Sequence, residues 1–245
     1  MNISDYKLIA HRGLHSNNGR VPENSLEAFN MAIQHDFAIE FDVRLTSDGK
    51  LIVFHDKNLK RITGTDMIVE DCTLKSLKEL KLGNTNFTIP TLQEVLSLVD
   101  CKVPLLIEIK NERKVGPLER KILKILTNYK GKYIIESFNP LSLLWFRRNA
   151  PNIVLGQLSS KKFDGMSSWI KRFILKNMLL NPLVKPNFIA YELRYITPKL
   201  AQKFKKHNRY LFGFTVQSDE SLKKAKYLCD GIIFDNMVPI ENNEL

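Results

Sequence analysis

The first 56 residues of the chain carry His11-Arg12-Gly13, Pro22-Glu23-Asn24-Ser25, Glu40-Phe41-Asp42 and His55-Asp56; Glu108-Ile109-Lys110 follows further on. Apart from Pro22–Ser25, each group ends or directly follows a short apolar run. Glu40, Asp42 and Glu108 supply hard oxygen ligands, which suit a single Mg²⁺ or Ca²⁺ better than zinc. A cation held there can polarise a phosphoryl oxygen and lower the pKa of a bound water or hydroxyl. Arg12 offers a planar fork of donors to phosphate oxygens, and Lys110 a compact charge. His11 and His55 can act as general base and general acid near neutral pH. Together these groups match cleavage of a phosphodiester. One activates the nucleophile, one protonates the leaving oxygen, and cations stabilise the charge that builds on phosphorus. Taken alone, an E-x-D on a strand or an H-R-G is as well explained by a solvated strand end. The weight lies in the whole set, in this order.

The elements that must position these groups read as strands alternating with helices. Apolar runs at Lys7–Ala10, Ala38–Val43, Pro104–Lys110, Tyr133–Phe138, Ile153–Leu158, Phe188–Leu193, Tyr210–Val216 and Gly231–Asp235 predict eight strands. Amphipathic segments lie between them, such as Ser25–Asp36, Thr91–Val99, Gly116–Tyr129 and Thr197–Asn208. Leu51–Phe54 is an extra strand after the turn Ser47-Asp48-Gly49-Lys50. The alternation predicts parallel βαβ units, and eight of them suggest closure into a (β/α)₈ barrel. A doubly wound open sheet would need a Gly-rich phosphate loop after a strand, and none occurs. Catalytic groups of such barrels sit at the C-terminal strand ends. His11 follows the first strand; Glu40 and Asp42 are two apart on the second and point to one side, as do Glu108 and Lys110 on the third.

A chain of 245 residues with 44% hydrophobic and 26% charged residues can bury a substantial core. The sequence predicts a single barrel domain over residues 1–245, with an insertion near 50–90. Lys plus Arg exceed Asp plus Glu by 37 − 26 = 11, which favours anionic partners. No nucleic-acid recognition motif accompanies that charge, so a nucleic-acid partner is not expected. Cys72, Cys101 and Cys229 lie far apart and read as reduced thiols. The N-terminus lacks a basic-then-apolar signal region. No stretch approaches the roughly 20 apolar residues that span a bilayer. A cytoplasmic location is the expectation.

His11-Arg12-Gly13, Pro22-Glu23-Asn24-Ser25, Ile39–Val43, Thr46–Gly49, Val53–Asp56 and Ile107–Lys110 resemble the glycerophosphodiester phosphodiesterases. Leu59–Gly64, Ile89-Pro90-Thr91-Leu92 and Ser137-Phe138-Asn139-Pro140 extend the resemblance, which runs from about residue 8 to 236. It implies a distorted (β/α)₈ TIM-type barrel with a small insertion after the second strand. It further implies metal-dependent hydrolysis of small glycerophosphodiesters to glycerol 3-phosphate and an alcohol, with Mg²⁺ or Ca²⁺. By position, His11 and His55 become the acid–base pair, Glu40, Asp42 and Glu108 the metal ligands, and Arg12 and Lys110 the phosphate contacts. The chain departs from the family at the long loop Leu14–Val21 and in the last strand, which ends Phe234-Asp235-Asn236. It departs again at Phe214-Thr215-Val216, where the family commonly has Trp-Thr-Val. The Phe214 ring can still pack against a glycerol backbone.

Other residues read as ordinary. His15, His35 and His207 match no family position and are expected to be surface or loop histidines; Ser137 is either a site-lining group or barrel packing. Residues 161–187 mix Lys161, Lys162, Lys171, Arg172, Lys176 and Lys185 with Met166, Trp169, Phe173 and Leu180. The expectation is a fifth outer helix, near Asp164–Asn181, with its apolar side packed on the sheet, so that membrane association is not favoured. The alternative is a basic amphipathic helix lying on an anionic bilayer, as a lysophospholipase D-like enzyme would use. A barrel that binds anionic ligands without turnover is a third reading, which the complete His/Glu/Asp set disfavours.

Overall fold

The computed structural model describes residues 2–16, 18–162 and 168–239. Its apolar runs form nine strands: β1 (Leu8–Ala10), β2 (Ala38–Leu45), β3 (Leu51–Val53), β4 (Leu105–Ile109), β5 (Tyr133–Ser137), β6 (Leu155–Ser159), β7 (Phe188–Glu192), β8 (Tyr210–Val216) and β9 (Gly231–Phe234). All except β3 run parallel, each bonded to the next, and β1 pairs with both β2 and β9. That double pairing closes an eight-stranded parallel barrel with helices between the strands, as the alternation of elements predicts. β3 is the extra strand and returns antiparallel to β2.

The helices start where the sequence supplies oxygen caps. Ser25, Thr91, Asn139, Thr197 and Ser218 accept backbone N–H bonds at the first turns of α1 (Leu26–Gln34), α4 (Leu92–Val99), α6 (Pro140–Asn149), α9 (Pro198–Lys206) and α10 (Asp219–Leu228). Glu94 completes a capping box with Thr91. α2 (Lys60–Thr63) and α3 (Leu74–Lys78) lie after β3, α5 (Pro117–Leu126) after β4, and α7 (Trp169–Lys176) and α8 (Asn181–Val184) after β6.

Strand alternation divides the apolar residues into two layers. Ile9, Ala38, Leu106, Ile134, Leu158, Phe188, Phe212 and Ile233 fill the barrel interior. Ala10, Ile39, Phe41, Val43, Ile107 and Ile135 face the helices. Gly156 is required here, because a Cβ would lie 2.1 Å from the Phe188 ring. Glu40, Asp42, Glu108 and Glu136 share the inward parity of the first set, and the register places Asp42 beside Glu108 and Glu108 beside Glu136. The stretch after β3 holds its own small core of Ile52, Phe54, Leu59, Val69, Leu77 and Ile89. That core fixes the loop carrying His55.

The segment after β6 corrects the sequence reading. α7 has no buried residue, and Trp169, Ile170 and Phe173 are 74%, 53% and 56% exposed. Its apolar side therefore does not pack on the sheet. The reason lies at the end of β6: Ser159 Oγ donates to the Leu175 carbonyl at 3.2 Å, which holds α7 over the C-terminal end of the barrel. The short α8 packs instead, with Asn181 and Val184 buried and Arg147 Nε donating to the Val184 carbonyl at 3.0 Å. Residues 163–167 of the expected helix, Met166 among them, lie outside the described residues. Among the described residues, no helix is long and apolar enough to cross a membrane.

Candidate active site

The site begins with a backbone turn. Arg12 and Gly13 take φ values of 56° and 79°, and a Cβ on Gly13 would come within 2.8–2.9 Å of Ala28 on α1. Glycine is thus needed both for conformation and for close approach. The turn directs the Arg12 N–H to Glu40 Oε2 at 2.9 Å. Pro22–Ser25 then locks it. Asn24 N–H donates to the Arg12 carbonyl at 2.9 Å, Asn24 Nδ2 donates to Asp42 Oδ2 at 2.8 Å, and Glu23 pairs with Arg12 Nη1 at 2.7 Å.

Glu40, Asp42 and Glu108 are buried and offer oxygens that all lie within 4.8 Å of one another; among the described residues no other group could hold a metal ion in this way. Glu40 Oε1 and Asp42 Oδ1 are buried without a hydrogen-bond partner. Lys110 Nζ lies 2.7 Å from Glu108 Oε1 and 3.1 Å from Asp42 Oδ1, and Arg12 Nε lies 3.6 Å from Asp42 Oδ2. Three buried carboxylates, with Glu40 Oε1 left unbonded, fit a hard divalent cation and would be strongly unfavourable if all were charged without one. Burial, then repulsion from Asp42, Glu108 and Glu136, pushes Glu40 well above the usual carboxylate range. Burial and Asp42 likewise raise Glu108, although Lys110 opposes them. Asp42 goes the other way. Burial acts to raise it, but Lys110, His55, Arg12 and the Asn24 hydrogen bond together outweigh burial and hold it well below the usual range.

The two histidines flank these acids. His11 Nε2 is 3.9 Å from Glu40 Oε2, and its Nδ1 is 3.7 Å from Asp235 Oδ1. Burial lowers the His11 pKa against the pull of Asp235. His55 Nδ1 is 2.6 Å from Asp56 Oδ1, and Arg61 Nε donates to Asp56 Oδ2 at 2.6 Å. The His55 carbonyl accepts from Arg44 Nε at 3.0 Å and Nη2 at 2.7 Å, while Arg44 Nη1 donates to the buried Glu70 at 2.7 Å. Phe214 continues the interior layer on β8 and packs edge-on to Phe138 with ring centroids 6.2 Å apart. The structure thus links His11, Arg12, Glu40, Asp42, Lys110 and Glu108 in one chain of contacts, with His55 close enough to act on the charges of Asp42 and Glu108.

Several participants escape the sequence reading. His15 is not a free loop histidine: its Nε2 lies 2.6 Å from Asp235 Oδ1, and Gln217 Nε2 donates to Asp235 Oδ2 at 2.7 Å. Asp235 has a visible signal, since it ends an apolar strand as Asp42 and Glu108 do. Glu136 has the same signal on β5 and is buried beside Glu108. Arg44 has no local signature; Glu23 and Arg61 lie in motifs quoted from the sequence, but their mutual tie at 2.7 Å is long-range and unassigned there. Ser137 resolves as packing: its Oγ donates to the Ile109 carbonyl at 2.7 Å.

Comparison with known proteins places this architecture. Residues 11–238 match the model of the glycerophosphoryl diester phosphodiesterase family. A glycerophosphodiester phosphodiesterase of Caldanaerobacter subterraneus is 34% identical over 241 residues, covering 94% of this chain and 93% of that protein. One from Bacillus altitudinis is 30% identical, covering 94% of both. Among solved structures, the Thermotoga maritima glycerophosphodiester phosphodiesterase superposes with a TM-score of 0.72 at 28% identity, over 94% of this chain and 95% of that one. An Oleispira antarctica phosphodiesterase, solved with the product sn-glycerol-3-phosphate, shares the fold with a TM-score of 0.79 at 24% identity, over 94% and 92%. The chain belongs to the glycerophosphoryl diester phosphodiesterase family.

Proposed function

We propose that the chain hydrolyses small glycerophosphodiesters to glycerol 3-phosphate and an alcohol, using one divalent cation, Mg²⁺ or Ca²⁺. The observation that carries this reading is the cluster of three buried carboxylates, Glu40, Asp42 and Glu108, with oxygens within 4.8 Å of one another and Glu40 Oε1 left without a hydrogen-bond partner. Glu40, Asp42 and Glu108 would hold the cation, which supplies Lewis acidity toward the phosphoryl group and the attacking hydroxyl. Lys110 and Arg12 lie against the same carboxylates and offer their remaining donors to the phosphate oxygens. Of His11 and His55, one accepts the proton of the attacking hydroxyl as the new P–O bond forms. The other gives a proton to the alcohol oxygen as its bond to phosphorus breaks. Asp56 holds His55 by its Nδ1 and so presents the opposite ring nitrogen. Phe214 sits where an apolar face can pack against the glycerol carbons.

The test is release of glycerol 3-phosphate from glycerophosphocholine and glycerophosphoethanolamine by the purified chain, with and without chelator. Turnover that stops in chelator and returns with Mg²⁺ or Ca²⁺ supports the reading. Full turnover in chelator, with no metal retained, overturns the role of the cation.

A further inference from the structure

We propose that α7 docks the chain on an anionic phospholipid bilayer. The helix exposes Trp169, Ile170 and Phe173 together. On a 3.6-residue turn these three fall within about 100° of arc, a continuous apolar strip. Leu179, just beyond the helix, adds a fourth exposed apolar side chain at 49%. A patch of this kind, exposed among the described residues, marks an interaction surface.

The chemistry around the strip selects the partner. Arg172 and Lys176 border it on the helix, and the exposed Lys161 and Lys162 stand at the β6 end from which the segment leaves the barrel. Residues 165–191 contain no Asp or Glu. A second copy of the chain would bring like charges together at this face, and the whole chain carries a further excess of cations, +11. An anionic surface complements both. A tryptophan flanked by lysines is the composition that settles at the headgroup level of a bilayer, with its apolar body in the acyl boundary.

Position gives the surface a consequence. The Ser159–Leu175 hydrogen bond holds α7 at the C-terminal end of the barrel, the end that carries Glu40, Asp42 and Glu108. A chain docked through α7 therefore turns its catalytic mouth toward the lipid.

The experiment uses the full chain and vesicles of phosphatidylcholine alone or mixed with phosphatidylglycerol, co-sedimented at physiological salt. We expect binding to the anionic vesicles only, weakening as salt rises. Trp169→Ala plus Phe173→Ala should lower the bound fraction by about tenfold or more, while circular dichroism and glycerophosphocholine turnover stay as in the wild type. Lys162→Glu plus Lys176→Glu, which leaves the apolar strip intact, should also release the chain and serves if the first variant misfolds. No binding to anionic vesicles, equal binding to neutral ones, or wild-type binding by both variants overturns the proposal. So does a dimer in sedimentation equilibrium that the Trp169/Phe173 variant dissolves while vesicles go unbound, since the face would then join two copies. None of these outcomes depends on whether the proposed hydrolysis is correct.

Discussion

The two arcs of the barrel mouth differ sharply. Over β1, β2, β3 and β4, every strand ends in charge: His11 and Arg12, Glu40 and Asp42, His55 and Asp56, Glu108 and Lys110. On β5 the buried Glu136 sits beside Glu108 and extends this arc. Over β6 to β8 the ends are Ser159, Glu192 and the neighbourhood of Phe214, with Glu192 tied to Ser160 and Arg194. Asp235 belongs to the charged arc although it lies at the far end of the chain, because β9 pairs with β1. The arcs divide the work. The first concentrates ionisable groups where burial and neighbours set their charge, and the second supplies apolar walls and, through α7, a surface that faces outward.

The largest effects should come from the charged arc. Glu40→Gln or Asp42→Asn should remove most activity, and His11→Ala or His55→Ala should each lower turnover by about 10²-fold or more with the fold intact. The double histidine variant should cost less than the product of the two if both serve one proton-transfer step. Steady-state kinetics with circular dichroism checks all four, and near-normal turnover in any of them would break the contrast between the arcs.

Next comes the buried Arg44, which ties the His55 carbonyl to Glu70. Removing one partner of a buried pair leaves the other uncompensated, so Arg44→Ala should cost about 3–5 kcal/mol in a denaturant titration. Arg44→Lys should recover part of that stability but not the two bonds to His55, so its turnover should stay low. Equal recovery of stability and turnover would show that Arg44 has no positioning role.

A smaller effect separates the acids by pH. Glu40, Glu108 and Glu136 are all raised chiefly by burial, with repulsion from neighbouring carboxylates adding to it and Lys110 opposing it at Glu108 and Glu136. In the cation-free protein each holds its proton more tightly folded than unfolded, so the folded state binds more protons between the unfolded value, about 4.3, and the raised folded value. Their contribution to stability therefore falls as pH rises through that window. Glu136→Gln removes one such group and should raise the melting temperature in chelator more at about pH 8 than at about pH 5. A gain of the same size at both would contradict the electrostatic account. The smallest effect belongs to the apolar arc: Phe214→Ala should raise KM several-fold with kcat near wild type, and a fall in kcat alone would move Phe214 into the charged arc's work.

What the sequence made legible follows from period and locality. Glu40 with Asp42, and Glu108 with Lys110, are two apart on strands, so their shared direction is written in a two-residue repeat. The barrel itself is legible because eight apolar runs alternate with capped amphipathic segments. His15 lies in a loop, as expected, but its tie to Asp235 is not legible, because that partner lies 220 residues away and meets it only when β9 closes on β1. Arg44, Glu23 and Arg61 are long-range ties of the same kind. Residues 161–187 failed for another reason. Amphipathic spacing shows that a helix has an apolar side but not what covers it, and here the single bond from Ser159 to Leu175 places that side in solvent. The core of the stretch after β3 is not legible, because its residues, Leu59, Val69, Leu77 and Leu82, are spread singly among polar and charged ones.

The central claim is that Glu40, Asp42 and Glu108 form one cation site. Calorimetric titration of Mg²⁺ and of Ca²⁺ into the chelated chain tests it most directly. The account predicts one site per chain, with proton release on binding that grows as pH falls, because burial raises Glu40 well above the usual carboxylate range and a cation would compete with its proton; Glu40→Gln and Asp42→Asn should abolish that heat. Binding of equal strength in wild type and both variants, or no binding by a chain that still turns over, would contradict it.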